Sequence, residues 1–218
     1  CSPNIKITAF TKNPRKMKKK YGVKCVGRFN VFAMAKEMKH AKLLISGGGS
    51  LFQNNTSAKS LEYYIQVIKM AKRRSLPVSV YANGIGPLYG KRSHEKVKDI
   101  LALTDDISLR EPSSFEFLRS INASEELLSR IRVSADPALT LTGTSSERVN
   151  YIFEKAGISE PQKCFAVSLR EWEDLKTSDA LGERESFIEK ISDSIALLSS
   201  SLDLTPVFIP VQRVFDDN

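Results

Sequence analysis

Three consecutive glycines, Gly47-Gly48-Gly49, follow the apolar residues Leu43-Leu44-Ile45 and precede Ser50 and Gln53. The apolar residues predict a buried strand, and a helix is predicted to begin near residue 60. Glycine has no Cβ, so the backbone can turn sharply here and its N–H groups can approach an anion. At the carboxyl end of a parallel strand, where α/β folds bind ligands, this predicts an anion-binding loop. The alternative is a tight turn whose glycines serve packing only.

Short apolar or β-branched segments alternate with segments of helical period along the whole sequence. This order predicts βαβ units and parallel sheets of Rossmann type flanked by helices. Helices are predicted near 60–74, from an N-cap at Ser93, between Ser146 and Gly157, and over 183–202. The spacing of apolar residues predicts one face of the first helix from Leu61, Tyr64, Ile65 and Ile68, and the buried face of the second from Val97, Ile100 and Leu101. The predicted strands are 5–10, 43–46, 78–82, 107–109, 131–134, 165–169 and 207–211.

A small polar stretch at 141–146 suggests a domain boundary. On this interpretation residues 1–142 form an N-terminal α/β domain, and residues 143–218 begin a second α/β domain. The second part has only two predicted strands, which is few for an independent domain, and we expect it to be truncated.

The net charge of +8 is concentrated in the basic run at 12–20. Such a run is most often a solvated helix face, and attraction to an anionic membrane surface is the second interpretation. Nucleic acid is not expected, because the run has no interleaved aromatic residues and no nucleic-acid module surrounds it. No apolar run is long enough for a transmembrane helix.

Three cysteines and two histidines, widely spaced, predict neither a disulfide framework nor a metal site. A reducing cytoplasm is the expected location. Two common cofactor motifs are also missing. The sequence has no GxGxxG fingerprint and no Gly-Lys-Ser or Gly-Lys-Thr of a P-loop, which makes nicotinamide dehydrogenases and P-loop NTPases unlikely matches.

Polar residues follow other predicted strands in the same way. Asn83 and Gly84 follow the strand at 78–82, and we expect them beside the glycine loop if the two strands are neighbours. Arg110 and Arg170 each end a strand, where a guanidinium can bind phosphate or carboxylate bidentately. The alternative for each arginine is a structural ion pair with the glutamate that follows it.

Asp136 ends a further predicted strand and precedes Pro137. It is a candidate general base, although capping the turn that the proline starts is the commoner role for an Asp-Pro pair. His40 and His94 are interpreted as surface histidines.

Taken together, these segments resemble the polysaccharide pyruvyl transferase family, most closely its bacterial cell-wall branch. The resemblance runs in order along nearly the whole chain. It is carried by Ser46-Gly47-Gly48-Gly49-Ser50-Leu51-Phe52-Gln53, Tyr81-Ala82-Asn83-Gly84-Ile85-Gly86-Pro87-Leu88, Leu109-Arg110-Glu111-Pro112-Ser113, Ala135-Asp136-Pro137-Ala138 and Val167-Ser168-Leu169-Arg170-Glu171-Trp172.

The resemblance implies a GT-B-like fold and transfer of the enolpyruvyl unit of phosphoenolpyruvate to two sugar hydroxyls, with phosphate as the leaving group. Phosphoenolpyruvate would be a donor substrate, and no cofactor is expected. The acceptor would be a sugar or lipid-linked glycan, modified in the cytoplasm, with peripheral contact to the inner membrane face. Catalytic roles would fall to Arg110, Asp136 and Arg170. Substrate would be bound by Gly47, Gly48, Gly49, Ser50, Gln53, Asn83, Gly84 and Trp172.

The sequence departs from the family pattern in three places. The early Gly-Asn-rich loop and the later histidine- and arginine-bearing segment are missing, so the fragment is expected to be inactive if either holds the acid catalyst. Asn83 stands where the family pattern has glutamine. Two other functions stay open: a GT-B glycosyltransferase that uses a nucleotide-sugar, and a non-catalytic protein that binds glycans or anions.

Overall fold

Strands and helices alternate along the chain in the computed structural model, which describes residues 5–55, 57–169 and 181–209. The chain divides into two compact units, Cys1–Leu141 and Thr142–Asn218. In every strand pair of the described residues the two strands run parallel. The predicted α/β class, with parallel sheets flanked by helices, is confirmed, while the GT-B-like arrangement stays a prediction.

The first unit contains two parallel sheets. One pairs β1 with β2, and the other has the strand order β3-β4-β5-β6. The strands are β1 (Thr8–Thr11), β2 (Lys24–Gly27), β3 (Leu44–Gly47), β4 (Val78–Asn83), β5 (Asp106–Leu109) and β6 (Ile131–Val133). The helices between and after them are α1 (Pro14–Tyr21), α2 (Val31–His40), α3 (Ala58–Lys72), α4 (Lys91–Ala102), α5 (Pro112–Ser120) and α6 (Glu125–Ser129).

The second unit has a smaller βαβ arrangement. Its described elements are α7 (Ser146–Lys155), β7 (Cys164–Val167), α8 (Leu181–Leu202) and β8 (Thr205–Phe208). The strands β7 and β8 pair in parallel. No helix in the described ranges is both long and apolar enough to cross a bilayer.

Polar side chains begin most of the helices. An asparagine or serine at the N-cap accepts a hydrogen bond from a backbone N–H one turn later, which satisfies a donor that the helix itself leaves unpaired. These N-caps are Asn13 for α1, Asn30 for α2, Ser57 for α3, Ser124 for α6 and Ser145 for α7.

The core of the first unit lies between the four-stranded sheet and its helices. Leu61, Ile65 and Ile68 form the buried face of α3, as their spacing predicted. The predicted buried face of α4 is confirmed as well. Side chains of β4 and β5 pack against these faces, and the residues buried there include Val78, Val80, Val97, Ile100, Leu101, Ile107 and Leu109.

Two local predictions are wrong. The segment before the glycine loop is not fully buried, because β3 is an edge strand of its sheet and Ile45 is 60% exposed. Ser93 does not cap α4, which begins after Gly90. The Ser93 hydroxyl instead accepts a hydrogen bond from the Asn54 side chain at 3.0 Å, which joins α4 to the segment that follows the glycine loop.

Charged residues hold together the amino ends of the strands in the four-stranded sheet. The Asp105 carboxylate accepts hydrogen bonds from Lys72 Nζ at 2.7 Å and from the Val78 N–H at 2.7 Å. It therefore ties the end of α3 to the start of β4. The hydrogen bond from Lys72, followed by that from the Val78 N–H, lowers the pKa of Asp105. Asp106 makes a similar link, to Ser79 on β4 and Arg132 on β6.

Replacement of Asp105 with asparagine should lower the free energy of unfolding at neutral pH. We expect a loss of roughly 1 kcal/mol, the scale of a half-exposed ion pair with charge-assisted hydrogen bonds. Because the folded-state pKa is lowered, the stabilisation is present above the ordinary aspartate pKa of about 3.9 and is lost as the pH falls through the folded value. Urea unfolding of both proteins across this pH range measures the difference.

The matched control is Asp99→Asn, since Asp99 is exposed on α4 and makes no side-chain hydrogen bond or ion pair within the described chain. This control should leave the unfolding free energy nearly unchanged at every pH. A difference for Asp105→Asn that grows towards acid pH would contradict the assigned sign.

Candidate functional site

The carboxyl ends of four neighbouring strands meet at one edge of the sheet in the first unit. The glycine loop follows β3, Asn83 ends β4, Arg110 follows β5 and Asp136 lies just beyond β6. Since these strands are parallel and adjacent in the order β3-β4-β5-β6, their ends lie side by side. The fold therefore brings together residues that are far apart in the sequence, at the edge where such sheets bind ligands.

The backbone of the glycine loop needs glycine at more than one position. Gly48 and Gly49 have φ values of 79° and 74°, in the left-handed region that favours glycine. A Cβ at Gly47 would lie 3.2 Å from Ile45 Cγ2 and 3.4 Å from the Tyr81 carbonyl oxygen. Local geometry alone thus accounts for the three glycines, and their role in binding a ligand stays a prediction.

The glycine loop and a second loop, which follows β4 and begins at Gly84, lie side by side, as expected for neighbouring strands. Gly84 donates its N–H to the carbonyl of Gly49 at 3.2 Å, and Gly86 donates to Phe52 at 2.9 Å. Among the described residues, no hydrogen bond uses the N–H of Gly49. The second loop therefore supports the first along its length and leaves this N–H available to a ligand. Gln53 follows the fully buried Phe52 in this paired region.

Asn83 lies inside the protein beneath the glycine loop. Its side chain is completely buried, and Nδ2 donates to the Ser46 carbonyl at 2.7 Å and to the Tyr81 carbonyl at 3.3 Å. These two acceptors orient the amide and leave Oδ1 buried, with no hydrogen-bond partner in the described chain. Asn83 therefore braces the start of the glycine loop, and its predicted contact with substrate stays a prediction.

Arg110 connects three of the four strand ends. Its Nη2 donates to Ser50 Oγ at 3.0 Å, its Nη1 to Asp136 Oδ2 at 3.2 Å and its Nε to Glu111 Oε2 at 3.1 Å. The ion pair with Glu111, which was the structural alternative for Arg110, is therefore present. These contacts use three of the five N–H groups of the guanidinium, so one N–H on each terminal nitrogen has no partner in the described chain.

The carboxylate of Asp136 makes two contacts, one with the turn that follows it and one with Arg110. Oδ1 accepts a hydrogen bond from the Ala138 N–H at 2.9 Å, which is the predicted cap, and Oδ2 faces Arg110. The side chain is nevertheless 44% exposed. Its carboxylate is thus held in one orientation by two partners and can still reach a group outside the protein.

Glu111 and Ser114 complete the cluster, and of these two only Glu111 was considered from the sequence, as an ion-pair partner of Arg110. The Ser114 hydroxyl donates to Glu111 Oε1 at 2.9 Å and accepts from the Ile85 N–H at 2.8 Å. A continuous chain of hydrogen bonds therefore runs from the second loop through the start of α5 to Arg110. The pattern Glu111-Pro112-Ser113-Ser114 could have indicated it, because proline in the first turn marks a helix start and places Ser114 one turn after Glu111.

The space at the centre of this cluster exists because residue 84 is glycine. A Cβ there would lie 2.7 Å from Glu111 Oε1, 2.8 Å from Ser50 Oγ and 3.2 Å from Arg110 Nη2. All three side chains converge on this one Cα. The cluster carries one positive and two negative side chains, with the carboxylates held on either side of the guanidinium.

Two predicted site residues cannot be placed relative to this edge. Arg170 and Trp172 lie outside the described residues. An apolar cavity of about 520 Å³ lies in the second unit, lined by α8 and β8 residues such as Phe187, Ile191 and Phe208. The described residues that line this cavity include no charged side chain, so the cavity does not fit an anionic ligand. Over the same described ranges, no three His, Cys, Asp or Glu residues form a group that could hold a metal ion.

Comparison with known proteins identifies the family of this chain. The family model of polysaccharide pyruvyl transferases matches residues 1–218, the full length of the sequence. The chain belongs to the polysaccharide pyruvyl transferase family. Comparisons with curated proteins and with solved structures gave no match. In this family member, the Arg110 cluster at the carboxyl edge is the candidate site.

Replacement of Gly84 with alanine should disturb the Arg110 cluster, and therefore ligand binding or turnover, more than it lowers the stability of the fold. The added methyl group must displace Glu111, Ser50 or both from Arg110, yet the atoms that it meets are the ends of side chains that can move. We expect a loss of about 1–3 kcal/mol in the free energy of unfolding, as for a modest overpacking. Ligand binding or turnover should fall at least tenfold. Urea unfolding and an activity or binding assay measure the two effects.

Gly143→Ala is the matched control, because a Cβ at Gly143 meets no atom within 4 Å. It should change neither quantity. If Gly84→Ala bound ligand and reacted like the unmodified protein, the cluster would not be part of the functional site.

Proposed function

We propose that this protein transfers the enolpyruvyl unit of phosphoenolpyruvate to two hydroxyls of a glycan sugar, forming a cyclic ketal and releasing phosphate. Membership of the family supports pyruvyl transfer to a polysaccharide. The observation that carries the proposal within the molecule is the Arg110–Asp136 pair beside Ser50 and Gly84, at the carboxyl edge of the sheet.

The reaction balances without a cofactor. One acceptor hydroxyl adds to the central carbon of phosphoenolpyruvate while the methylene carbon gains a proton and becomes a methyl group. The C–O bond to phosphate then breaks, and the second hydroxyl bonds to the same carbon. Of the two protons that the hydroxyls give up, one balances the proton on the methyl group and the other leaves with phosphate. The chemistry therefore needs a base for the hydroxyl, an acid for the methylene carbon and stabilisation of charge at the central carbon.

Asp136 is the proposed base of this reaction. Its carboxylate is partly exposed, and Arg110 and the Ala138 N–H hold it in one orientation. A fixed carboxylate at the rim of the site can accept the proton of an acceptor hydroxyl without reorganising. It also lies where negative charge can stabilise the developing positive charge at the central carbon of the donor.

Arg110 and the glycine loop are the proposed determinants of donor binding. Phosphoenolpyruvate carries a phosphate and a carboxylate, and both can accept hydrogen bonds from backbone N–H groups such as that of Gly49. The guanidinium of Arg110 adds a positive charge close to this loop through its bond to Ser50. Gly47, Gly48 and Gln53 would line the same loop, and Arg170 and Trp172 are further proposed contacts for the donor and the sugar.

The proposed acceptor is a cell-wall or exopolysaccharide glycan, carried on a lipid at the cytoplasmic face of the membrane. A peripheral membrane contact is supported by α1, which has no buried residue and carries Lys18, Lys19 and Lys20 in its last turn. Exposed apolar residues are also present at the start of α2. Val31 is exposed, and Phe32 is 90% exposed. Clustered lysines gain roughly 1 kcal/mol each near anionic lipids.

Substitution of Asp136 with asparagine should remove the base and keep the fold. Asparagine keeps one oxygen, which can still accept from the Ala138 N–H, while its amide nitrogen replaces the oxygen that faces Arg110, so the melting temperature should fall only slightly. We expect kcat to fall about a hundred- to ten-thousandfold, the usual contribution of a positioned general base. The assay measures phosphate release from phosphoenolpyruvate with N-acetylhexosamine-containing oligosaccharides, together with the ketal carbon by NMR.

Asp106→Asn is the control, because Asp106 also pairs with an arginine but at the opposite edge of the sheet. It should leave kcat unchanged. Full turnover by Asp136→Asn would exclude Asp136 as the base. Failure of the unmodified protein to release phosphate, combined with tight binding of a nucleotide-sugar, would favour a glycosyltransferase, and binding of phosphoenolpyruvate without turnover would favour a non-catalytic role.

Removal of charge from α1 should weaken binding to anionic vesicles. The triple variant Lys18→Gln, Lys19→Gln and Lys20→Gln loses three lysines, which corresponds to roughly 3 kcal/mol or a hundredfold in the partition constant. Co-sedimentation with vesicles of phosphatidylcholine, with and without phosphatidylglycerol, measures this constant.

The control variant removes three exposed lysines from other parts of the first unit, Lys42, Lys59 and Lys91. If it lost as much vesicle binding as the α1 variant, the contact would depend on total charge and not on α1. Equal binding to neutral and anionic vesicles would contradict the proposed membrane contact.

A further inference from the structure

A second arginine follows a strand end in the first unit, at the end of β2. Arg28 comes directly after Gly27, the last residue of that strand, and its N–H donates to the Thr11 carbonyl at 2.9 Å. Its position therefore resembles that of Arg110 after β5. The position of Arg28 at a strand end was not predicted from the sequence. The strand β2 has one buried residue, Val26, and no apolar run that would indicate a strand.

The guanidinium of Arg28 packs against two aromatic rings that also contact each other. Its Cζ is 4.8 Å from the ring centroid of Phe29 and 5.8 Å from that of Tyr63, within the range of cation–π attraction. The two rings pack edge to face, with their centroids 5.9 Å apart. Because Tyr63 lies on α3, these contacts hold the arginine side chain against the helix that follows the glycine loop.

The polar atoms of this guanidinium have no protein acceptor in the described chain. Nε is buried without a hydrogen-bond partner, and Arg28 forms no ion pair among the described residues. Nearly all buried N–H groups in proteins have an acceptor, and a missing one costs free energy. Arg110 differs in this respect, since Ser50, Glu111 and Asp136 occupy its three nitrogens.

The acidic groups on α2 and α3 that form ion pairs do so with lysines and not with Arg28. Glu37 on α2 pairs with Lys24 at 2.7 Å, and the hydrogen bond from Lys24 lowers the pKa of Glu37. Glu62 on α3 pairs with Lys96 at 2.5 Å, and this hydrogen bond likewise lowers its pKa. Burial, followed by the nearby Tyr64, raises the pKa of Tyr63, so its phenol stays neutral.

A guanidinium in this setting is suited to one class of ligand. Its planar fork matches the two oxygens of a carboxylate or the oxygens of a phosphate. Because a guanidinium is weakly hydrated, it can bind such a group while it packs against aromatic rings. We propose that Arg28, packed against Phe29 and Tyr63, binds an oxyanion of a phosphate- or carboxylate-bearing ligand through its terminal guanidinium nitrogens.

The surroundings also indicate the shape of that ligand. Phe29 is 71% exposed, so its ring offers an apolar surface directly beside the bound anion. A ligand with an apolar or ring-shaped portion next to its anionic group would contact both. The site belongs to the first unit alone, and it does not depend on which reaction the Arg110 cluster supports.

The decisive measurement follows the Nε–H of Arg28 itself. Proton–nitrogen spectra of the ¹⁵N-labelled protein, tuned to arginine side chains, are recorded during titration with inorganic phosphate, pyruvate and phosphoenolpyruvate. The Arg28→Lys variant identifies the signal, because it lacks that Nε–H. We expect a saturable downfield shift with at least one oxyanion and no shift with sodium chloride at the same ionic strength.

The separate titrations identify the recognised group. A shift with inorganic phosphate and not with pyruvate assigns the phosphate, and the reverse result assigns the carboxylate. Either result supports the proposal. Absence of a saturable Arg28 shift with all three anions would overturn it.

Affinity measurements on variants provide the second test. Arg28→Lys keeps a positive charge but loses the planar fork, and Arg28→Gln loses both. The dissociation constant of the recognised anion should rise about 10- to 100-fold, the scale of a charge-assisted hydrogen bond. Thermal unfolding of both variants establishes that they are folded.

Arg119→Lys is the matched control, because Arg119 also stacks on a phenylalanine, at 5.2 Å from the Phe115 ring, but already pairs with Glu116. It should leave the dissociation constant unchanged. Folded Arg28 variants that bind the anion as tightly as the unmodified protein would contradict the proposal. Because binding is measured without turnover, these results stand whether or not phosphate release is detected.

Discussion

The side chain of Arg110 holds three strand ends of the candidate site in one arrangement. A guanidinium offers its donors in a fixed plane, so its bonds to Ser50, Glu111 and Asp136 set the relative positions of the segments that carry them. The fourth strand end contributes Gly84, whose missing Cβ leaves room for these side chains to meet. Without the arginine, two carboxylates would face each other, and the ends of β3 and β6 would lose their side-chain link.

The two edges of the same sheet have different constructions. At the amino edge, Asp105 and Asp106 join strands and helices through ion pairs and backbone hydrogen bonds. At the carboxyl edge, loops replace helices immediately after the strands, and polar groups such as the Gly49 N–H and the Asp136 carboxylate stay accessible. Ion pairs therefore join the strands at both edges, while the Gly49 N–H, which has no partner in the described chain, lies at the carboxyl edge.

Much of this arrangement could be predicted from local patterns. The glycines after β3, the apolar spacing of α3 and α4, and the polar residues after β4, β5 and β6 were all visible in the sequence. The exposure of Ile45 was not, because an apolar residue on an edge strand looks the same in sequence as one on a central strand. Ser114 was missed for a related reason, since the Ile85 N–H that it accepts from reaches it through a tertiary contact.

The sequence by itself determined the α/β class, the order of most elements, the position of the glycine loop and the family resemblance, because each of these follows from residues close together in the chain. Only the tertiary structure decided that Arg110 is already bonded on all three nitrogens while Arg28 has no acceptor in the described chain. Both arginines follow short strands, and although Glu111 is next to Arg110 in the sequence, the other two acceptors, Ser50 and Asp136, are far from it. The difference arises because Ser50 and Asp136, from distant segments, reach the guanidinium of Arg110. No acceptor in the described chain reaches that of Arg28.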